Sequence, residues 1–204
     1  MDESGIHYVT DVGGAAHYGP KADFIIHSVS GREFAASTNQ LDLYMPGRFE
    51  LTYTGADGAD QPVAVLHRAP LGSSERFVSY LIEHFAGLFP VWLAPEQVRV
   101  VPITEHQQDY AEAVAKELFA EGYRVEVDRS DNRMQAKIRA AVTDRVPFIL
   151  VIGRKELEAG TVAVRSRAGD EGAVPLARFK SRLAELVRTK SLEGAGHLLP
   201  AVAG

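Results

Sequence analysis

The sequence predicts an α+β unit followed by an α/β unit, on three observations. Residues 1–97 offer a succession of short strands separated by turn signals, with one amphipathic helix near their end. From Val98 the pattern changes to strands alternating with helices, the order that builds an α/β sheet with helices on its faces. Within that part, Phe148-Ile149-Leu150-Val151-Ile152 is apolar at every position, as a strand buried on both faces of a parallel sheet requires. Between the two parts lies Pro90 to Pro95. Its two prolines bracket a short apolar segment and suit a rigid crossing rather than a flexible linker.

In chain order, Phe24 to Val29 is expected as a strand, with Ser30-Gly31 turning the chain back. Arg32 to Leu43 follows, then Phe49 to Tyr53 and Pro62 to His67, with Gly55-Ala56-Asp57-Gly58 as the loop between the last two. Sequential strands with short turns favour antiparallel pairing. A helix from Ser74 to about Ala86 carries Phe77, Tyr80, Leu81, His84 and Phe85 at helical spacing. Ser73 or Ser74 serves as its N-cap, and Glu75 places a carboxylate in the first turn. One helix cannot cover such a sheet, so its apolar edge is expected to pair with another copy or another chain.

In the second part, Val98 to Ile103 is a strand and Thr104 an N-cap. The helix from His106 to Glu121 points Tyr110, Val114 and Leu118 one way and ends at Gly122. Tyr123 to Val127 is a strand, and Met134 to Val142 a helix with Ile138 on its apolar face. Thr161 to Arg167 and Gly172 to Val174 pair around Ala168-Gly169-Asp170-Glu171. A closing helix from Leu176 to Thr189 turns Phe179, Leu183, Leu186 and Val187 inward. Ser191 to Gly204 lacks periodicity and is expected to be a mobile tail or a docking strand.

Composition narrows the classes. With 204 residues, 46% of them hydrophobic, the chain can bury one or two ordinary cores. It has no Cys, hence no disulfide and no thiolate metal ligand, which fits a cytoplasmic protein. No run approaches a membrane span and Met1-Asp2-Glu3-Ser4-Gly5 has no basic region before an apolar one, so a soluble, untargeted chain with no membrane partner is expected. The net charge of −5 is uneven. Residues 1–97 hold 5 Lys+Arg against 12 Asp+Glu, a balance of −7, whereas residues 98–190 hold 17 against 14, a balance of +3. The second part is the one suited to a polyanion.

The stretch most loaded with chemistry is His67-Arg68-Ala69-Pro70-Leu71-Gly72-Ser73-Ser74-Glu75-Arg76-Phe77. A strand feeding a helix through Gly-Ser, with Arg76 in the first turn, can set a guanidinium beside a phosphate or a purine ring. A core strand and a capped helix with no ligand account for the same residues.

His67 to Pro95 closely resembles the third signature motif of threonyl-tRNA synthetases and the segment that leaves it, which read HRA-LGS-ERF and then E-AG-FP-WLAP-QV. Tyr18-Gly19-Pro20-Lys21, Thr38-Asn39-Gln40-Leu41-Asp42 and the region from Val98 to about Ser191 match the same family in the same order. The resemblance implies a partial class II synthetase antiparallel sheet with the motif-3 helix in residues 1–95. An α/β anticodon-binding domain follows in residues 96–190, and then the tail, 191–204.

By the same resemblance, Arg76 stacks near the adenine and contacts the phosphates of ATP. Tyr18 and Lys21 lie in a loop beside the active site, Thr38 and Gln40 line the ATP and threonine pocket, and Ser73 belongs to it. His67 matches one of three zinc ligands. The other two lie upstream of this chain's start, and His17, His27, His84 and His106 stand at positions that are not ligands in the family. His67 is therefore one ligand of an incomplete zinc site. Ala35 and Ala36 replace a Gln and a Cys of the family, and the Gln hydrogen bonds cannot be supplied by alanine. The family's first and second motifs have no counterpart here. The donor that stabilises the pentavalent phosphate is thus missing, and no residue is assigned a catalytic role. ATP and zinc are the cofactors of the complete family enzyme, and neither is expected to bind this chain stably by itself.

The resemblance gives the second domain Glu156 and Arg165 as readers of anticodon bases. Arg offers a bidentate fork to a guanine edge, and Glu accepts from amino or imino groups. The family has Asn, Glu and Lys where this chain has Asp131-Asn132-Arg133. Asp131 is expected to weaken binding unless Asn132 takes over by a shift of one. Arg129, Arg133, Lys137 and Arg139 could meet phosphates or form a solvated helix face. The implied partners are the anticodon arm of a threonine tRNA and a second copy or a synthetase catalytic chain. Three readings follow. The first is the C-terminal portion or a truncated relative of a threonine–tRNA ligase, unable to activate threonine alone. The second is a stand-alone non-catalytic paralogue that binds RNA or docks on a full-length synthetase. The third is a repurposed amino-acid-activating enzyme, which the missing phosphate-binding motif disfavours.

Overall fold

The computed structural model describes residues 5–28 and 31–196. Its contacts divide it into two units, residues 1–80 and 81–204, with the division inside the helix α2, Ser74–Phe85. Val29 and Ser30, at the end of the first expected strand and its turn, lie outside the described residues, as does the tail from residue 197.

The first unit is built on a three-stranded antiparallel sheet of order β1-β2-β5, from β1 Lys21–His27, β2 Glu33–Asp42 and β5 Val65–Ala69. Between β2 and β5 come a short helix α1, Met45–Arg48, and a separate hairpin of β3 Thr52–Thr54 with β4 Asp60–Pro62. Two expected strands are corrected here. Of Phe49 to Tyr53, residues 49–51 are a helix end and a turn, and only Thr52 and Tyr53 are strand, in β3. Pro62 to His67 divides into β4, paired with β3, and β5, paired with β2. The alternation of side chains runs through Pro62 to His67 without a break. Which partner each half takes is decided by pairing across the chain, which alternation does not encode.

Among the described residues of this unit, only Ser28, Asp42 and Pro46 are buried. Phe24, Ile25, Phe49, Tyr53 and Leu66 all stay exposed, Leu66 at 65%. The described residues of this unit therefore pair their strands without enclosing an apolar core.

The second unit is a five-stranded mixed sheet of order β10-β9-β8-β6-β7. Its strands are β6 Val98–Pro102, β7 Val125–Val127, β8 Phe148–Ile152, β9 Thr161–Ser166 and β10 Gly169–Pro175. β6 is parallel to β7 and β8, and β8 is antiparallel to β9, so β8 is parallel on one side only. The helices are α3 Gln108–Ala120, α4 Met134–Thr143, α5 Arg154–Ala159 and α6 Leu176–Arg188. One sheet face packs Val98, Val100, Leu150, Val162 and Val164 against Ala111, Val114 and Leu118 of α3 and Phe179, Leu183 and Leu186 of α6. The other packs Val101, Ile149 and Val151 against Ile138 and Ala141 of α4. Every residue of β8 is buried, as the apolar run required.

Local chemistry sets the helix ends. α3 is entered through a 3-10 turn, Glu105–Gln107, where the Gln107 Oε1 accepts from the Thr104 N–H at 3.0 Å and its hydroxyl at 2.8 Å. Gly122 then takes φ +88° past its end, the conformation that favours glycine there. α5 is an element the sequence reading did not separate from its loop. The Glu156 carboxylate turns back to accept the Gly153 N–H at 2.9 Å and so starts it.

Pro90 to Pro95 contributes Val91 and Ala94 to the buried interior of this unit. The first residues of the tail are engaged as well. Arg167 donates to the carbonyl oxygens of Phe89, Arg145 and Gly194, and the Gly196 N–H donates to Leu88 at 2.9 Å. Among the described residues no helix is long and apolar enough to cross a membrane.

Candidate nucleic-acid interface

Because β6, β7 and β8 run parallel, the loops that follow them emerge at one end of the second sheet. Asp131 and Asn132 sit there, both exposed, in the loop between β7 and α4. Gly153 and Glu156 follow β8 at the same end. Closeness is forced at this place, since a Cβ on Gly153 would lie 2.9 Å from Ile103 Cδ1 and 2.9 Å from Glu156 Oε2. Glu156 is half-buried. Its Oε2 is committed to Gly153, and its Oε1 has no partner among the described residues.

Arg165 lies elsewhere on the sheet. It is opposite Ile149 in the β8–β9 register and opposite Asp170 in the β9–β10 register. Counting at about 3.3 Å per residue along β8, it stands roughly 13 Å from the end that carries Gly153. Alternation decides its face. Val162 and Val164 point into the core, so Thr161, Ala163 and Arg165 occupy the opposite face, with Ala173 of β10 beside Ala163. This alternation is legible in Thr161-Val162-Ala163-Val164-Arg165. Ala163 packs against the cluster under α4, and the Arg165 side chain beyond it is 36% exposed. A ligand touching Arg165, Glu156 and the Asp131-Asn132 loop would run along this face toward the loop end.

The four cations named as possible phosphate contacts separate into two kinds. Arg129 is taken by Glu112, Nε at 2.7 Å and Nη2 at 2.8 Å; this pair raises the guanidinium pKa and lowers that of the carboxyl. Lys137 is 5% exposed, and its Nζ donates to the carbonyl oxygens of Pro102 at 3.2 Å and Asp128 at 3.3 Å. It holds the ends of β6 and β7 together and cannot reach a phosphate in this position, which corrects the expectation for it. Arg133 and Arg139 remain exposed without an ion pair among the described residues, on the outer side of α4 with Gln135, Ala136 and Thr143 around a shallow groove.

In the first unit, the expected pocket residues share one face of the small sheet. Lys21, Gln40 and His67 are directly opposite one another across β1, β2 and β5, and Asp23 and Thr38 form the next rung. The Tyr18 hydroxyl hydrogen-bonds the Gln40 side-chain oxygen, and the Tyr18 ring lies 5.6 Å from that of His67. Lys21 pairs with Asp23 at 2.6 Å; this hydrogen bond raises the Lys21 pKa and lowers that of Asp23. Ser73 caps α2 by accepting the Arg76 N–H at 3.3 Å, and the Arg76 guanidinium lies 5.8 Å from the Phe34 ring centroid.

Asp42, which was not among the expected site residues, accepts from the Tyr44 and Met45 N–H groups at 2.9 Å and faces His67 Nε2 at 2.9 Å. Burial would raise its pKa, but the His67 and backbone hydrogen bonds outweigh burial and hold the carboxyl below its usual range. The residues present do not fit a zinc ion. Among the described residues no three His, Asp or Glu are grouped to hold a metal, and His67 Nε2 is already engaged by Asp42.

Comparison with known proteins follows the same division. Residues 97–186 match the family described as anticodon binding domain. Over 196 residues the chain is 47% identical to the threonine–tRNA ligase of Rhodopirellula baltica, which covers 96% of this chain and 26% of that protein. It is 49% identical over 192 residues to a threonine–tRNA ligase of Thermus thermophilus, covering 94% of this chain and 29% of that one. The chain thus spans between a quarter and a third of the length of these curated relatives. Among solved structures, the RNA binding domain of threonyl-tRNA synthetase from Cryptosporidium parvum superposes with a TM-score of 0.81 at 32% identity, over 90% of this chain and 47% of that chain.

Proposed function

We propose that this chain, which belongs to the threonyl-tRNA synthetase family and carries its anticodon-binding domain, binds the anticodon arm of a threonine tRNA. The contact runs along the Arg165 face of β9 and β10 and the loops that follow β7 and β8. The observation that carries this reading is Arg165. Its side chain is 36% exposed on the β9 face beyond Ala163, and among the described residues its terminal N–H fork is not consumed by a carboxylate. Glu156 Oε1 and the Asp131-Asn132 loop supply further polar contacts, and Arg133 and Arg139 supply phosphate contacts. Each base contact is worth about 1–3 kcal/mol, so Arg165→Ala should weaken cognate binding roughly tenfold or more and flatten discrimination. Arg139→Ala should lower affinity evenly across tRNAs and reduce the salt slope by about one. Anisotropy with a threonine tRNA and with one of altered anticodon, at several salt concentrations, measures both. Equal affinity for the two tRNAs, unchanged by Arg165→Ala, would remove the reading.

The same reading leaves threonine activation, ATP and zinc to the complete family enzyme. This sequence holds no counterpart of the second motif, and His67 is a lone ligand beside Asp42. The first unit, whose described residues enclose no apolar core, is then the part that associates with a second copy or with a synthetase catalytic chain. The reading places the chain in the cytoplasm with its tRNA. Two measurements on the unmodified chain test it. Threonine-dependent ATP–pyrophosphate exchange should stay at the level of a buffer control, and sedimentation should show species larger than a monomer. Exchange with stoichiometric zinc, or a clean monomer with fully protected β1 and β5 amides, would contradict it.

A further inference from the structure

Most guanidinium groups of the second unit that meet a carboxylate are used up by it. Arg129 gives Nε and Nη2 to Glu112, Arg99 gives its donors to Glu96 and Asp144, and Arg188 gives Nε and Nη2 to Glu185. Arg165 differs. Its Nε faces Asp170 Oδ2 at 3.8 Å, an ion pair longer than a hydrogen bond, and among the described residues its two terminal nitrogens are left over. Asp170 is itself held. It is directly opposite Arg165 in the β9–β10 register, and its Oδ1 accepts the Gly172 N–H at 3.0 Å across the bulge that follows it. Gly172 takes φ +78° there, so the backbone bends to present that N–H.

We propose that Asp170 is a positioning residue for specificity: its fixed carboxylate holds Arg165 from the Nε side and so aims the terminal N–H fork at a nucleotide base. The inference rests on the anticodon-arm reading above. The arrangement has an opposite effect on overall affinity, because a carboxylate beside a polyanion repels phosphates. Its charge therefore lowers affinity for tRNAs with the wrong base, while the aimed fork offsets that repulsion for the right one, the mark of specificity obtained by a repulsive element. A residue that merely stabilised the hairpin would move both quantities in the same direction.

Asp170→Asn is the informative substitution, since Asn keeps a side-chain oxygen for the Gly172 N–H and replaces the anionic oxygen that faces Arg165 with a neutral NH2. With a threonine tRNA anticodon arm and the same arm carrying one replaced anticodon base, the variant should bind the altered arm about two- to threefold more tightly. The selectivity ratio should fall about three- to fivefold, the scale of an exposed ion pair. In an Arg165→Ala background, Asp170→Asn should leave the ratio unchanged. In the free chain, nitrogen relaxation of the Arg165 Nε–H should show greater mobility in the variant. If Arg165→Ala flattens selectivity and Asp170→Asn does not, the inference falls and the anticodon reading stands. If Arg165→Ala has no effect, the anticodon reading falls. The relaxation measurement then decides the positioning by itself, and unchanged Nε–H mobility overturns it.

Discussion

Leu150→Ala should destabilise the second unit by about 3 kcal/mol, within the usual range of roughly 2–5 kcal/mol for emptying a buried leucine site. Leu150 is fully buried at the centre of the sheet, opposite Val100 on β6 and Val164 on β9, both of which are also buried. Neighbours on three strands and two helices cannot all move in, so the lost methyl groups leave a cavity. The chain has one Trp, and Trp92 belongs to this unit, with Lys190 Nζ 6.0 Å from its ring centroid. Urea unfolding followed by tryptophan fluorescence therefore reports this unit alone. Leu157→Ala on α5, at a position 38% exposed, serves as the comparison and should cost well under half as much. Equal midpoints for the two variants would mean that β8 is not the centre of the core.

Gly19→Ala should have an effect of similar size, confined to the first unit. Gly19 takes φ +156° in the turn before β1, and a Cβ there would overlap the carbonyl oxygen of Leu41. The obstacle is main chain of β2, which cannot rotate aside as a side chain would. Relief requires separating Tyr18-Gly19-Pro20 from β2, which breaks the hydrogen bonds from the Leu41 N–H to Pro20 at 2.9 Å and from the Leu43 N–H to Tyr18 at 3.0 Å. Little apolar burial opposes that separation. Hydrogen exchange should show the Leu41 and Leu43 amides losing about two orders of magnitude of protection, equivalent to roughly 3 kcal/mol, while the tryptophan-reported transition stays in place. Gly47→Ala, in a short helix with nothing within 4 Å of the added carbon, is the control. Retained protection at Leu41 would show that the turn can yield without releasing the strand.

The same Gly19 explains why the Tyr18-Gly19-Pro20-Lys21 match carries structural weight as well as a site. Its glycine allows the loop to approach β2 closely enough for Tyr18 to reach Gln40 and for Lys21 to fall into line with Gln40 and His67. Only the crossing of two segments in space shows that need.

By itself the sequence determined the elements whose signals are local. Unbroken apolarity marked β8, helical spacing of Phe179, Leu183 and Leu186 oriented α6, and Gly122 ended α3. Alternation in β9 put Arg165 outward, and Ser73 before an acidic first turn marked the start of α2. Each of these depends on residues within a turn or two of one another, so adjacency in the chain suffices. The tertiary structure decided everything that depended on a distant partner. It split Pro62 to His67 between two strand partners, buried Lys137 against the ends of β6 and β7, and committed Arg129, in the loop after β7, to Glu112 on α3. It also set Asp42 behind His67 and Asp170 beside Arg165. A charged side chain has the same local signature whether it meets water, a carboxylate or a ligand. Its role is fixed by which other groups the fold brings within a few ångströms, and that is information about pairing in space rather than order in sequence.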